Sequence, residues 1–258
     1  VFGTSIGIGS QGILMDGTEE QKQKYLPKIA IGECVASFAL TEPEAGSDAA
    51  HLKTTATRDG DQYVLNGTKR FITNAPSADI LTVMARTNAE IDGAGGVSSF
   101  IVERDSPGLS FGKPEKKMGQ QGAHVCDVIF EDCRVPAENL LGEENKGFYA
   151  VMRNFQNERL SIGAMATSES ATALDLTLEH LRNRQAFGGT MIEKQGIRQR
   201  LATSQCKLLA AQQLLYHAAW LDSAGKDAVA EISMVKAHCA ETAQEVMYNC
   251  QQFHGGMG

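Results

Sequence analysis

The chain has 258 residues, 42% of them hydrophobic, enough for one large or two ordinary domains with a sizeable buried core. Its 24 Lys and Arg against 31 Asp and Glu leave a net charge of −7, so it lacks the broad basic surface of a general nucleic-acid binder. No window approaches the roughly 20 unbroken apolar residues of a membrane span, and Val1-Phe2-Gly3-Thr4 has neither the basic nor the apolar region of a signal peptide. The cysteines at 34, 126, 133, 206, 239 and 250 form no CxxC pair and, apart from the adjacent His238-Cys239, have no His at zinc-ligand spacing. They read as reduced thiols in a cytosol-like compartment, with no metal site.

In chain order, residues 1–33 are Gly-rich and then helical, Thr18-Glu19-Glu20-Gln21 making a capping box. This reads as the end of a helical domain. Residues 34–135 carry short apolar runs: Val35 to Leu40, Tyr63 to Leu65, Ile80 to Met84, Phe100 to Val102 and Val125 to Phe130. Turn signals at Arg58-Asp59-Gly60-Asp61, Asn66-Gly67 and Ser106-Pro107-Gly108 separate them, predicting an antiparallel β domain, a barrel or sandwich. Residues 136–258 turn helical: no proline follows Gly147 and the apolar spacing is 3.6. Three long helices are expected, Lys146 to Phe187, Lys194 to Ala224 and Asp227 to Phe253, packed as an antiparallel bundle. A chain that opens mid-domain without Met and stops at Gly255-Gly256-Met257-Gly258 reads as clipped at both ends.

Gly7-Ile8-Gly9-Ser10-Gln11-Gly12 satisfies GxGxxG, but a dinucleotide fingerprint needs a preceding strand, a helix starting within it and a surrounding βαβ unit. Only six residues precede Gly7, and Asp16-Gly17 interrupts a helix beginning at Gly12, so the motif is read as a decoy. In Phe38 to Asp48 an apolar strand runs into Thr41, Pro43 breaks pairing, and Gly46-Ser47 gives a tight turn whose N–H groups can face an anionic or carbonyl-rich ligand. In Asn66 to Asn74 a hairpin turn precedes Phe71 and Thr73, which strand alternation puts on one face. A flat ring could stack there and a hydroxyl could bond its edge. Each pattern alone also suits an ordinary strand.

Together, and followed by the helical third, these segments resemble the acyl-CoA dehydrogenases, flavoproteins that oxidise acyl-CoA thioesters. The resemblance covers essentially the whole chain: TEP.AGSD at Thr41 to Asp48, NG.K.FITN at Asn66 to Asn74, MG..G at Met118 to Gly122, F.D.RVP.EN.LG at Phe130 to Gly142, R.AFG at Arg184 to Gly188 and Q..HGG.G at Gln251 to Gly258. It implies an α+β multidomain fold: the remnant of an N-terminal helical domain, a middle antiparallel β domain and an incomplete C-terminal four-helix bundle.

The resemblance further implies FAD as cofactor, with Phe38, Leu40, Thr41 and Ser47 lining it and Ser47 near the pyrophosphate or the thioester arm. Phe71, Ile72 and Thr73 would cover the isoalloxazine, Phe71 standing where many members carry Trp, which keeps the stack and loses an indole N–H. Arg184, Phe187, Gln195 and Gln252 to Gly256, including Gly255 and Gly256, resemble residues that hold FAD across a subunit interface. A homo-oligomer, dimer or tetramer, follows. The implied partners are an acyl-CoA substrate and an electron-transfer flavoprotein. The implied location is the cytoplasm of a bacterium or the mitochondrial matrix, and the implied role is fatty acid β-oxidation.

Abstracting a thioester's α-proton as a hydride leaves the β-carbon needs a carboxylate in a dry pocket, its pKa raised toward the working pH. Many members place that Glu beyond the point where this sequence stops. A smaller set, resembling the isovaleryl and long-chain enzymes, places it on the first bundle helix before an Arg, and this chain reads Phe155-Gln156-Asn157-Glu158-Arg159-Leu160. Phe148, Val151, Phe155, Glu158 and Ile162 recur at helical spacing, which sets Glu158 on an apolar stripe independently of the resemblance. Phe155 and Arg159 are the expected substrate contacts, Arg159 toward the CoA arm; pairing of Glu158 with Arg159 is the competing structural role. An oxidase, a flavin monooxygenase and a non-catalytic binder of acyl-CoA or flavoprotein are the alternative functions.

Overall fold

The computed structural model describes residues 2–258 and divides into two compact units, 1–155 and 156–258. The first opens with three helices, α1 (Phe2–Ile6), α2 (Ile8–Asp16) and α3 (Glu19–Ala30). The capping box forms as expected: the Thr18 hydroxyl accepts from Gln21 N at 3.2 Å, and the Gln21 amide oxygen accepts from Thr18 N at 3.0 Å.

The GxGxxG segment lies across α2, which ends at Asp16 before Gly17, where the sequence placed the interruption. Its glycines serve close packing. A Cβ on Gly9 would lie 2.9 Å from the Ala36 carbonyl carbon, and one on Gly12 would lie 3.1 Å from Leu141 Cδ2. The Thr82 hydroxyl then reaches the Gly9 carbonyl at 3.0 Å.

Eight strands follow: β1 (Ala36–Ala39), β2 (Thr55–Asp59), β3 (Gln62–Thr73), β4 (Ile80–Arg86), β5 (Val97–Glu103), β6 (Leu109–Phe111), β7 (Val125–Pro136) and β8 (Leu140–Leu141). They form one sheet in the order β6-β7-β3-β2-β4-β5-β8, with β1 branching onto β4. Pairing is antiparallel except that β1 and β2 both lie parallel to β4, a departure from the expected wholly antiparallel domain. Alternation along β4 and β5 builds two cores. Leu81, Val83, Ala85, Phe100 and Val102 join the interior of the sheet, while Ile80 and Ile101 turn to Ile13, Tyr25 and Ile29 of the helices.

Gly60, at φ 65°, turns β2 into β3 as expected. Asn66-Gly67 is not a hairpin turn, as its sequence suggested, but lies inside the 12-residue β3. The pairing with β7 slips between Leu65 and Gly67 and again between Lys69 and Ile72. Gly67 absorbs the first slip at φ 145°, with Thr54 Oγ1 only 2.6 Å from where its Cβ would stand.

The second unit contains most of α4 (Gly147–Asn183), together with α5 (Gln195–Ser223) and α6 (Val229–His254). The 37-residue α4 ends four residues short of the expected Phe187. A small hairpin, β9 (Gln185–Ala186) and β10 (Gly189–Thr190), turns on Phe187 and Gly188 at φ 53° and 77°. The three helices pack around Leu215, Ile232, Val235 and Cys239, and around Leu174, Leu208 and Val246. Gly163 allows their close approach, since a Cβ there would lie 2.4 Å from Val235 Cγ1.

Candidate active site

The two motif segments of the β domain meet through a buried ion pair. In β3, Tyr63, Leu65 and Lys69 face inward; Lys69 is fully buried. Its ammonium donates to Glu42 Oε1 at 2.7 Å and to the Leu40 carbonyl at 3.1 Å. Glu42 in turn accepts from Thr54 N at 2.9 Å and Lys53 N at 2.6 Å. Burial pulls Lys69 down to about 8 against the opposing attraction of Glu42. Burial by itself would raise Glu42, but the Lys69 charge and the hydrogen bonds from Lys69, Thr54 and Lys53 outweigh it and hold the carboxyl below its ordinary value. The pair therefore stays ionised at neutral pH and fixes the Leu40-to-Ala45 loop from beneath.

Two further hydrogen bonds tie the segments: Arg70 N to the Thr41 carbonyl at 2.7 Å, and the Ser37 hydroxyl to the Thr73 carbonyl at 2.6 Å. Between these anchors the second β3 slip pushes Phe71 outward at φ 58°, a conformation a bulky residue rarely adopts. Its ring is 56% exposed, with the Arg70 guanidinium 5.0 Å from the centroid. Thr73 is half-buried beside it, whereas Ile72 turns into the interior of the sheet at 3% exposure and offers only its main chain. Leu40 is buried, Phe38 and Thr41 are half-buried, and Ser47 lies exposed on its turn. Phe38 packs edge-on to Phe155 of α4 at 6.1 Å between centroids.

Glu158 follows one turn after Phe155 on α4. It is half-buried, and desolvation alone raises its pKa; no charge partner among the described residues acts on it. That favours the desolvated carboxylate over a salt-bridged one. The expected stripe holds through Phe148, Val151 and Phe155 but not at Ile162, which is 44% exposed; inward packing passes instead to Gly163 and Thr167. Arg159 is half-buried next to Glu158 in sequence.

The remaining predicted residues gather at one end of the helical unit. Arg184, exposed, leads into the β9–β10 hairpin, whose tip Phe187 is 88% exposed. Lys194 secures that tip by donating to the Phe187 carbonyl at 2.9 Å, and the exposed Gln195 starts α5. The end of α6 lies alongside: His254 stacks on His180 at 4.3 Å and meets the Thr177 hydroxyl at 3.3 Å. Gln252 and Gly255 line a recess of about 230 Å³ there, with Gly256 exposed beside it. His180 is lowered by burial, by His254 and by the Arg184 charge.

A protruding aromatic flanked by fixed main-chain groups suits a flat heteroaromatic ring. A permanently charged guanidinium with side-chain amides and bare glycine main chain suits a diphosphate. Each unit by itself thus offers features that fit part of a flavin dinucleotide, ring-facing ones in the first and phosphate-facing ones in the second. Sequence reasoning missed Lys69 and Glu42, although parity with Tyr63 and Leu65 already placed Lys69 on the inward face. Among the described residues no cluster of His, Cys, Asp or Glu could hold a metal ion, and no helix is long and apolar enough to cross a membrane.

Comparison with known proteins gives the same picture. The chain matches the N-terminal, middle and C-terminal domains of acyl-CoA dehydrogenase over residues 1–33, 37–133 and 145–258. It belongs to the acyl-CoA dehydrogenase family, whose members are FAD flavoproteins. It is 44% identical to acryloyl-CoA reductase (NADH) of Anaerotignum propionicum, over 97% of this chain and 64% of that protein. It is 43% identical to CarC, the caffeyl-CoA reductase-Etf complex subunit of Acetobacterium woodii, over 95% and 65%. The solved butyryl-CoA dehydrogenase of Megasphaera elsdenii superposes with a TM-score of 0.93 at 36% identity, covering 98% of this chain and 66% of that one. The chain thus spans about two thirds of the length of these relatives.

Proposed function

We propose that the protein is a FAD-dependent acyl-CoA dehydrogenase that converts the Cα–Cβ single bond of a CoA thioester to the trans-2-enoyl thioester. The observation that carries this reading is Glu158, a carboxylate raised by desolvation on a helix of a family fold. Phe38, Leu40, Thr41, Ser47, Phe71, Thr73 and the Ile72 main chain would hold the flavin ring and its near phosphate. Arg184, Phe187, Gln195, Gln252, Gly255 and Gly256 would hold the dinucleotide arm of a neighbouring subunit's cofactor. Bound FAD supplies the hydride acceptor for the β-carbon. The chain's own part is to take the α-proton at the Glu158 carboxylate, to orient the thioester with Ser47 and Arg159, and to exclude water with Phe155. Two relatives are named as reductases, which supports the same chemistry being run in either direction.

The name of CarC supports an electron-transfer flavoprotein as the redox partner. The test is anaerobic mixing of the flavin-loaded protein with a panel of acyl-CoA thioesters. Bleaching of the flavin absorbance with enoyl-CoA formation is expected, and reoxidation by an electron-transfer flavoprotein without peroxide release. Peroxide formation in air without that partner would mark an oxidase, and no bleaching by any thioester would refute the reading. A monomeric mass for the flavin-loaded protein would remove Arg184 and Gln252 from the shared site.

A further inference from the structure

Beside the flavin-facing segments, a cavity of about 10 Å³ opens where α2, β4, β5 and the first turns of α4 meet within the first unit. That is about the room of one water molecule. Its apolar wall includes Ile8, Phe38, Leu141 and Val151, and Phe38, one of the expected flavin contacts, packs edge-on at 6.1 Å to Phe155, the expected substrate contact. Two of its other lining side chains are polar and almost wholly buried: Ser99 at 3% and Asn154 at 2% exposure. The Ser99 hydroxyl oxygen and the Asn154 amide oxygen have no hydrogen-bond partner among the described residues. The other two polar wall residues are already engaged, Thr82 with the Gly9 carbonyl at 3.0 Å and Asp16 with the Arg153 guanidinium at 2.6 Å. Buried polar atoms are normally paired, and two unpaired ones on the wall of a single small cavity call for a donor to fill it.

We propose that Ser99 and Asn154 are specificity residues that select a short acyl group ending in a hydroxyl, whose oxygen occupies this cavity. The inference rests on the acyl-CoA reading above. A terminal hydroxyl donates one hydrogen bond to Asn154 and exchanges another with Ser99. A methyl group of similar size enters the same space but leaves both buried oxygens unpaired, and a longer chain has no room. Hydrogen-bonding sites discriminate against such analogues far more strongly than apolar pockets discriminate single methylenes.

The experiment uses the full flavin-loaded chain and compares, by anaerobic flavin bleaching and kcat/KM, short ω-hydroxyacyl-CoA thioesters with thioesters matched in length that end in methyl. The hydroxyl member should be preferred on the order of 10- to 100-fold. Asn154→Leu should reverse that preference while leaving flavin content intact, and Ser99→Ala should reduce it. Preference for the methyl-ended thioester in the wild-type protein, or equal use of both, would mean that the cavity holds a resident water and would overturn the inference while the dehydrogenase reading stands. Failure of every thioester to bleach the flavin would overturn both. The wild-type comparison needs no variant, so poor folding of Asn154→Leu leaves the inference testable.

Discussion

The two units expose candidate site residues in opposite ways. In the β unit the site is made by distortion: a bulged strand, a left-handed Phe71 and a turn, all held by a fully buried ion pair. In the helical unit the cofactor candidates are exposed side chains at helix ends, and only Glu158 gains its character from partial burial. The β surface should therefore fail when its support is removed. The helical residues should be replaceable with little loss of fold, and their effects should appear in chemistry and cofactor retention.

The largest effect is expected at Glu158. Glu158→Gln keeps the volume and removes the base, so flavin reduction by substrate should slow about 10²- to 10⁴-fold, roughly 3 to 5 kcal/mol on the barrier. Stability should not fall. A carboxyl whose folded pKa is raised contributes stability below its ordinary value of 4.5, and loses it as pH rises through the folded value. At neutral pH the desolvated charge is thus a cost that Gln relieves, so thermal unfolding of the variant should show an unchanged or higher Tm.

Lys69→Met inverts that pattern. It leaves the Glu42 carboxylate buried without its counter-charge, a loss of about 3 to 5 kcal/mol in denaturant unfolding. Adding Glu42→Gln should recover much of it, because the stranded charge is gone. A double variant as unstable as Lys69→Met would show that the packing of the lysine stem, not the pair, supports the loop.

Gly67→Ala should cost about 1 to 3 kcal/mol, since φ 145° strains any side chain and Thr54 Oγ1 stands 2.6 Å from the new Cβ. The smallest effect should be Phe71→Ala. Removing a strained, exposed ring should scarcely change unfolding but should weaken flavin by on the order of 1 kcal/mol of stacking, read as a several-fold higher Kd in flavin titration. Thermal destabilisation larger than the affinity loss would make Phe71 a fold residue.

Much of this contrast was legible in the sequence because the relevant signals are local. The Thr18 capping box, the Gly60 turn, the proline-free helical third and the desolvated position of Glu158 each depend on neighbours within a turn or two. What escaped depends on pairing between distant segments. Asn66-Gly67 reads as a hairpin in isolation, and only its register against Phe130 and Cys133 makes it a bulge. Alternation sets Ile72 opposite Phe71 and Thr73 but puts Phe71 on the inward face of Lys69, and only the second slip, between Lys69 and Ile72, turns the Phe71 ring outward. Lys69 and Glu42, 27 positions apart in the chain, look like solvated charges until the fold brings them together. The parallel pairing of β1 with β4 was likewise hidden, since periodicity reports burial and not strand direction. The α4 terminus was overrun because Arg184 to Phe187 continues a helical composition, and only the paired positive φ angles at Phe187 and Gly188 reveal the hairpin.

The central claim is that Glu158 is the desolvated base, and the pH dependence of anaerobic flavin reduction by acyl-CoA tests it most directly. The wild-type rate should fall as pH drops through a single ionisation lying above the ordinary carboxylate value of 4.5, the direction set by burial of Glu158. In Glu158→Gln that acid limb should vanish along with most of the rate. An unchanged limb and near wild-type bleaching in the Gln variant would assign the base to another carboxylate and leave Glu158 a structural residue of α4.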